Sequence, residues 1–116
     1  MGNVTRTPPT NSSIKNAFLN TSTIGANQII AAPTGMCVRV IGLAVVSTAA
    51  NNVKFQSAGN DISALFPLGA NGGLVLPFNE HGWFQTNNGE ALNMNISAAT
   101  ATGVSINYVI LNGASL

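Results

Sequence analysis

The length of the apolar runs is the feature that most constrains the fold. From about Ile24 onward, every run is short and ends at a cluster of turn-forming residues, such as those at 33–35, 71–73 and 87–89. No stretch combines helical periodicity with helix-capping residues, and only residues 13–19 leave room for a single helical turn. Short runs separated by frequent turns are typical of an all-β sandwich or barrel.

Several of these runs alternate apolar and polar residues, as a half-buried strand requires. Val53 and Phe55 are expected to face the core, with Lys54 and Gln56 facing solvent. The same alternation continues through the three apolar residues at 92, 94 and 96 and the four at 104, 106, 108 and 110.

The run at residues 37–48 is apolar on both parities, which predicts either a central strand buried on both faces or a bulge near Gly42. The runs together amount to about eight strands, the number found in a jelly roll. We therefore predict an all-β protein, an antiparallel β-sandwich of jelly-roll type.

The N-terminal part of the chain has a different composition. We predict an extended N-terminal arm over residues 1–23, followed by a single β-sandwich domain over residues 24–116. The beginning of this arm contains two adjacent prolines and almost no apolar residues, so it is unable to form a core of its own. It is either a frayed terminus or a segment that becomes ordered on a partner. The candidate partner-contact residues are Thr5, Arg6, Thr7, Pro8, Pro9 and Thr10.

Charged residues make up only 6% of the chain, against about 25% in an ordinary globular domain. A neutral surface rich in amides and hydroxyls favours contact with other proteins, because few charges lose their hydration when an interface forms. The net charge is +1 and the cations are scattered, which argues against nucleic-acid binding. No apolar run reaches the ~18 residues of a membrane helix. Cys37 is the only cysteine, which rules out an internal disulfide, and we expect it to be buried.

Acids, bases and nucleophiles are too few to predict an enzyme. His81 is the only imidazole, and Asp61, Glu80 and Glu90 are the only carboxylates. No Gly-x-Ser-x-Gly motif is present. Glu80 and His81 are neighbours that would form at best a weak metal pair, and a solvated turn is the simpler interpretation. We expect no catalytic residues, no cofactor and no metal.

Four aromatic residues could form a platform on which a sugar stacks: Phe78, Trp83, Phe84 and Tyr108. Aromatic residues at strand positions more often belong to the core, which is the interpretation we favour.

A series of short segments between residues 53 and 111 resembles a known group of proteins. These segments are 53–57 (VKFQS), 67–73 (PLGANGG), 76–79 (LPFN), 82–84 (GWF), 89–95 (GEALNMN) and 106–109 (INYV). They resemble short proteins of tailed-phage structural gene clusters, which look like β-sandwich head decoration (cement) proteins and are typically trimeric. The similarity covers about half of the chain and is carried by turn residues.

The resemblance implies a non-enzymatic virion protein on the capsid surface. Its partners would be the major capsid protein and further copies of itself in a homotrimer, with no nucleic acid and no membrane involved. An alternative is a receptor- or glycan-binding module of a phage tail or fibre, which would use an exposed aromatic pocket at Trp83 or Tyr108.

Overall fold

The computed structural model describes residues 14–112, which form two antiparallel five-stranded sheets packed as a β-sandwich. The strands are β1 (Lys15–Thr21), β2 (Gly25–Ile30), β3 (Met36–Ser47), β4 (Asn51–Ser57), β5 (Asn60–Asp61), β6 (Phe66–Leu68), β7 (Gly72–Leu76), β8 (Phe84–Gln85), β9 (Leu92–Ile96) and β10 (Thr102–Asn112). The predicted all-β sandwich is confirmed, with ten strands in the described part rather than eight.

Sheet A has the order β1-β10-β3-β7, with β8 also paired to β3. Sheet B has the order β2-β9-β4-β5, with β6 also paired to β4. The two-residue strands β5 and β8 account for the higher count. Among the other eight, consecutive strands lie in opposite sheets, except that β4 and β6 pair with each other in sheet B. The first of the eight pairs with the last, and the second pairs with the second-to-last. This nested pairing is the jelly-roll arrangement.

Strand β3 contains the bulge that its sequence allowed. Its pairing with β10 shifts between Asn107 and Tyr108, so that Ile41 is an extra residue between Val40 and Gly42. The core-facing parity therefore changes at this point. Before the bulge the even-numbered valines are buried, and after it the odd-numbered Leu43 and Val45 are buried. Apolar residues on both parities thus reflect a bulge, because Ala44 and Val46 beyond it are exposed.

The core lies between the sheets and is formed by the residues whose alternation predicted it. Val53 and Phe55 are fully buried, as are the three apolar residues of β9. The Phe55 ring stacks on Phe84 with the ring centroids 5.1 Å apart. Cys37 is also buried, as expected. Gln56 was expected to face solvent but is only 7% exposed, because β5 pairs alongside it and covers it.

The expected arm over residues 1–23 is corrected by the structure. Lys15–Thr21 form β1, which pairs with β10 over its whole length. Ala17 and Leu19 pack against the core, which explains why this segment joins the sheet instead of leaving it or forming a helical turn. The candidate contact residues Thr5, Arg6, Thr7, Pro8, Pro9 and Thr10 lie outside the described residues.

Candidate interaction surface

The outer side of sheet A carries two rows of residues that cross all four long strands. The strand register places the members of each row side by side. We call these eight residues the neutral face, because none carries a charge. The first row is Phe18, Ser105, Ala44 and Val75, and the second is Asn20, Gly103, Val46 and Gly73.

Large apolar side chains of the neutral face are left open to solvent. Phe18 is 74% exposed, Val75 is 69% exposed and Val46 is 52% exposed. Phe78 follows β7 and is 62% exposed beside the same surface, with its Cα 3.8 Å from where a Cβ on Gly42 would lie. Exposed large apolar side chains gathered on one face are a feature of contact sites in soluble proteins.

Glycines make the second row of the neutral face flat. A Cβ added to Gly103 would lie 2.8 Å from Oδ1 of Asn20, because the Asn20 amide lies over this glycine. A Cβ added to Gly73 would lie 2.6 Å from the carbonyl oxygen of Val45 and 2.9 Å from Cγ2 of Val46. Both distances are too short for a side chain, so the two glycines allow their neighbours to lie across the sheet.

The outer side of sheet B is polar, and its side chains hydrogen-bond to one another or to the backbone. We call Lys54, Gln56, Asp61, Asn93 and Asn95 the amide face. Asn95 donates to Gln56 Oε1 at 3.3 Å, and Gln56 Nε2 donates to Asp61 Oδ1 at 2.8 Å. Lys54 Nζ lies 3.2 Å from the Asp61 carboxylate.

The hydrogen bond from Gln56 is the main reason why the pKa of Asp61 lies below its usual 3.8. A hydrogen bond from Lys54 and the charge of that lysine act in the same direction, and desolvation opposes them. The side-chain amides of this face thus hydrogen-bond within the chain, and the carboxylate of Asp61 is held in the charged form.

The three carboxylates and the one imidazole do not form a common site. Asp61 belongs to the amide face, while Glu90 accepts a hydrogen bond from Ser57 Oγ at 2.5 Å and another from Asn87. His81 and Glu80 are exposed in the turn that follows Pro77. Within residues 14–112, no three His, Cys, Asp or Glu side chains are grouped so as to hold a metal ion.

The four aromatic residues considered as a sugar platform divide between core and surface. Phe84 stacks in the core and Tyr108 packs against it. Trp83 is 42% exposed, and its indole N–H donates to the carbonyl oxygen of Pro77 at 2.8 Å. Of the four, Phe78 and Trp83 are the exposed residues, and the indole N–H of Trp83 already has a hydrogen-bond partner.

Sequence reasoning did not identify the neutral face. Phe18 was assigned to the arm, although Asn16, Phe18 and Asn20 alternate with Ala17 and Leu19 at the period of a strand. That alternation is the signal that would have found β1. Ser105, Ala44 and Val75 lie on separate strands, and only the register brings them into one row with Phe18.

No family model matches this chain, and no curated protein matches it in sequence. In the part of the chain that the structure covers, no helix is long and apolar enough to cross a membrane.

Proposed function

We propose that this chain is a non-enzymatic structural protein of a phage virion, a head decoration or cement protein that binds the outside of the capsid. The observation that supports it best is the neutral face, a flat apolar surface open to solvent. The location on a phage head rests on the sequence resemblance alone. The neutral face is the surface through which we propose that it binds.

The chemistry of the neutral face suits binding to another protein. Phe18, Val46 and Val75 would lose their contact with water on binding, which is the main favourable contribution to association. None of the eight residues would have to surrender the hydration of a charge. Asn20 and Ser105 supply polar groups that fix the position of the partner at little cost.

Binding of this kind would stabilise a capsid by mass action. A protein that binds the assembled shell and not its separated subunits shifts the equilibrium toward the shell, by an amount that grows with the concentration of the free protein. No reaction is needed for this effect, which is consistent with the few acids and bases of the sequence.

The test is binding of the full chain to phage heads that lack it, measured by co-sedimentation and by cryo-electron microscopy. Val75→Lys places a charge in the neutral face and should weaken binding by roughly tenfold or more. Gln28→Lys is the matched control, because Gln28 is exposed on β2 of sheet B and receives the same charge. It should bind as the unmodified chain does.

Two outcomes would contradict the proposal at different levels. Equal binding by Val75→Lys and the unmodified chain would exclude the neutral face as the contact surface. Bare heads with the unmodified chain would exclude the decoration function.

The exposed rings of Phe78 and Trp83 support a second candidate, a receptor- or glycan-binding module of a tail or fibre. Their apolar surface is available for stacking against a sugar ring. Binding on a glycan array that is lost with Trp83→Ala would favour this function over capsid decoration. Tyr108, the other residue considered for this role, packs against the core and is a poor candidate.

A further inference from the structure

The edge strands of the two sheets are protected to different degrees. A sheet edge exposes unpaired backbone groups, and proteins limit this with short strands, prolines, charges or bulges. At the edges of sheet B, β5 has two residues, β6 contains Pro67, and the pairing of β2 shifts between Gln28 and Ile30. At one edge of sheet A, the five-residue β7 begins with two glycines.

Strand β1, at the other edge of sheet A, has none of these protections except one charge at its first residue. Its seven residues pair with β10 in continuous register, without a bulge, a proline or a glycine. Its only charge is Lys15, at its first residue. Within residues 14–112, β10 is the only strand that pairs with β1. A regular and nearly uncharged edge of this length is a template for another strand.

The sequence of β1 is nearly symmetric about Phe18. Asparagine recurs two residues before and two residues after Phe18, at 16 and 20, and the residues next to Phe18, Ala17 and Leu19, are both apolar. An antiparallel strand with the same sequence would place Asn16 opposite Asn20 and Ala17 opposite Leu19. Phe18 would lie opposite its own copy, and Lys15 would lie opposite Thr21, so no like charges would meet.

We propose that β1 pairs antiparallel with β1 of a second copy of this chain, about a two-fold axis that passes beside Phe18. The backbone groups of both edges form hydrogen bonds, and the two Phe18 rings, each 74% exposed in the single chain, cover one another on the outer side. The two A sheets become one continuous sheet, and the two neutral faces lie side by side on it.

This self-association is a dimer, which differs from the homotrimer that the sequence resemblance implies. A two-fold contact uses the same strand on both copies and is closed, so it leads to no further growth. The inference rests on the edge and the sequence of β1, and it holds whether or not the protein decorates a capsid.

The first test measures the mass of the full chain by light scattering and sedimentation. The unmodified chain is expected to be a dimer. Phe18→Lys and Phe18→Glu each place like charges opposite one another and should raise the dissociation constant by at least tenfold. An equimolar mixture of the two variants pairs Lys with Glu and should recover the dimer. Val75→Lys, on the opposite edge of the same face, should remain dimeric.

The second test fixes the register. Phe18→Cys brings two thiols onto directly opposite residues, whose Cα atoms are about 4.5–5.5 Å apart in an antiparallel pair, within the range of a disulfide. It should form a covalent dimer on mild oxidation. Asn16→Cys is the control, because the two copies of that residue would be roughly 13 Å apart along the strands. The native Cys37 is buried and should not react.

A monomer or a trimer of the unmodified chain would overturn the proposal. So would a dimer that survives Phe18→Lys, or one that cross-links through Asn16→Cys and not through Phe18→Cys. Because Phe18 is largely exposed, these variants should fold, and the far-ultraviolet circular dichroism of each checks that they do.

Discussion

The outer face of sheet A and the outer face of sheet B have the same strand geometry and opposite chemistry. On the amide face, Gln56 connects Asn95 to Asp61 through side-chain hydrogen bonds, and Lys54 completes the group. On the neutral face, Phe18, Val46 and Val75 are exposed.

The difference shows which outer face is stable in contact with water and which gains free energy by binding a partner. Polar groups that bind one another and remain partly hydrated need no partner. Apolar side chains gain free energy only when they leave water, and the single described chain provides no cover for those of the neutral face. The amide face is therefore suited to solvent and the neutral face to contact with protein. The predictions below test this contrast, from the largest expected effect to the smallest.

The largest loss of stability is expected when a side chain is added to a glycine of the neutral face. Gly73→Ala places a Cβ 2.6 Å from the Val45 carbonyl oxygen and 2.9 Å from Val46 Cγ2, so β3 and β7 must move apart. We expect the free energy of unfolding to fall by about 2 kcal/mol, as for other overpacked sites. Denaturant titration measures it. Gly59→Ala is the control, since no atom lies within 4 Å of its added Cβ. Equal stabilities of the two variants would contradict the packing argument.

The amide face should depend on the buried amide at its centre. Gln56→Met keeps the length of the side chain but removes its hydrogen bonds to Asp61 and Asn95, so we expect a loss of about 1–2 kcal/mol in the free energy of unfolding. Gln28→Met, at an exposed position of the same sheet, should change it by less than about 0.5 kcal/mol. A Gln56→Met protein as stable as the unmodified chain would show that these hydrogen bonds are not needed.

The sequence predicted the fold well because alternation and turns act locally. The residues at 92, 94 and 96 alternate with asparagines, and the buried face of β9 follows directly. The bulge at Ile41 was one of two alternatives that the apolar residues on both parities of 37–48 left open, and the pairing with β10 decides between them. Strand β1 was missed because its asparagines and threonine resemble the loop composition around it. Its place in the sheet is decided by β10, which is about 90 residues away in the sequence.

The amide face and the neutral face were less predictable from the sequence, because both depend on how the strands pair. Gln56 looks solvent-facing in the sequence, and only its pairing with β5 explains its burial. The neutral face joins residues from β1, β3, β7 and β10, and no local pattern relates those segments to one another. The low charge of the chain did indicate a contact surface, but it carried no information about where that surface lies.

Asp61 should make the stability of the amide face depend on acid pH. The folded-state pKa of Asp61 lies below its usual 3.8. Its contribution to the free energy of unfolding is therefore fully present above about pH 4 and is lost as the pH falls through the folded-state pKa. Asp61→Asn should therefore reduce the loss of stability below about pH 4. The main cause of the shift is a hydrogen bond from the neutral Gln56 amide, so most of the effect should persist in high salt. An unchanged pH profile in Asp61→Asn would contradict this assignment.

The smallest effect on the free energy of unfolding is expected at Val75, a largely exposed residue of the neutral face. Val75→Thr preserves the β-branched shape at a position that is 69% exposed, so the free energy of unfolding should change by less than about 0.5 kcal/mol. Retention on a hydrophobic-interaction column should nevertheless fall, because apolar surface has been replaced by a hydroxyl. Val53→Thr is the matched control in the fully buried core. It should lose about 1–3 kcal/mol by burying a hydroxyl. A large loss of stability in Val75→Thr would mean that Val75 supports the sandwich itself, and the contrast between the two outer faces would no longer hold.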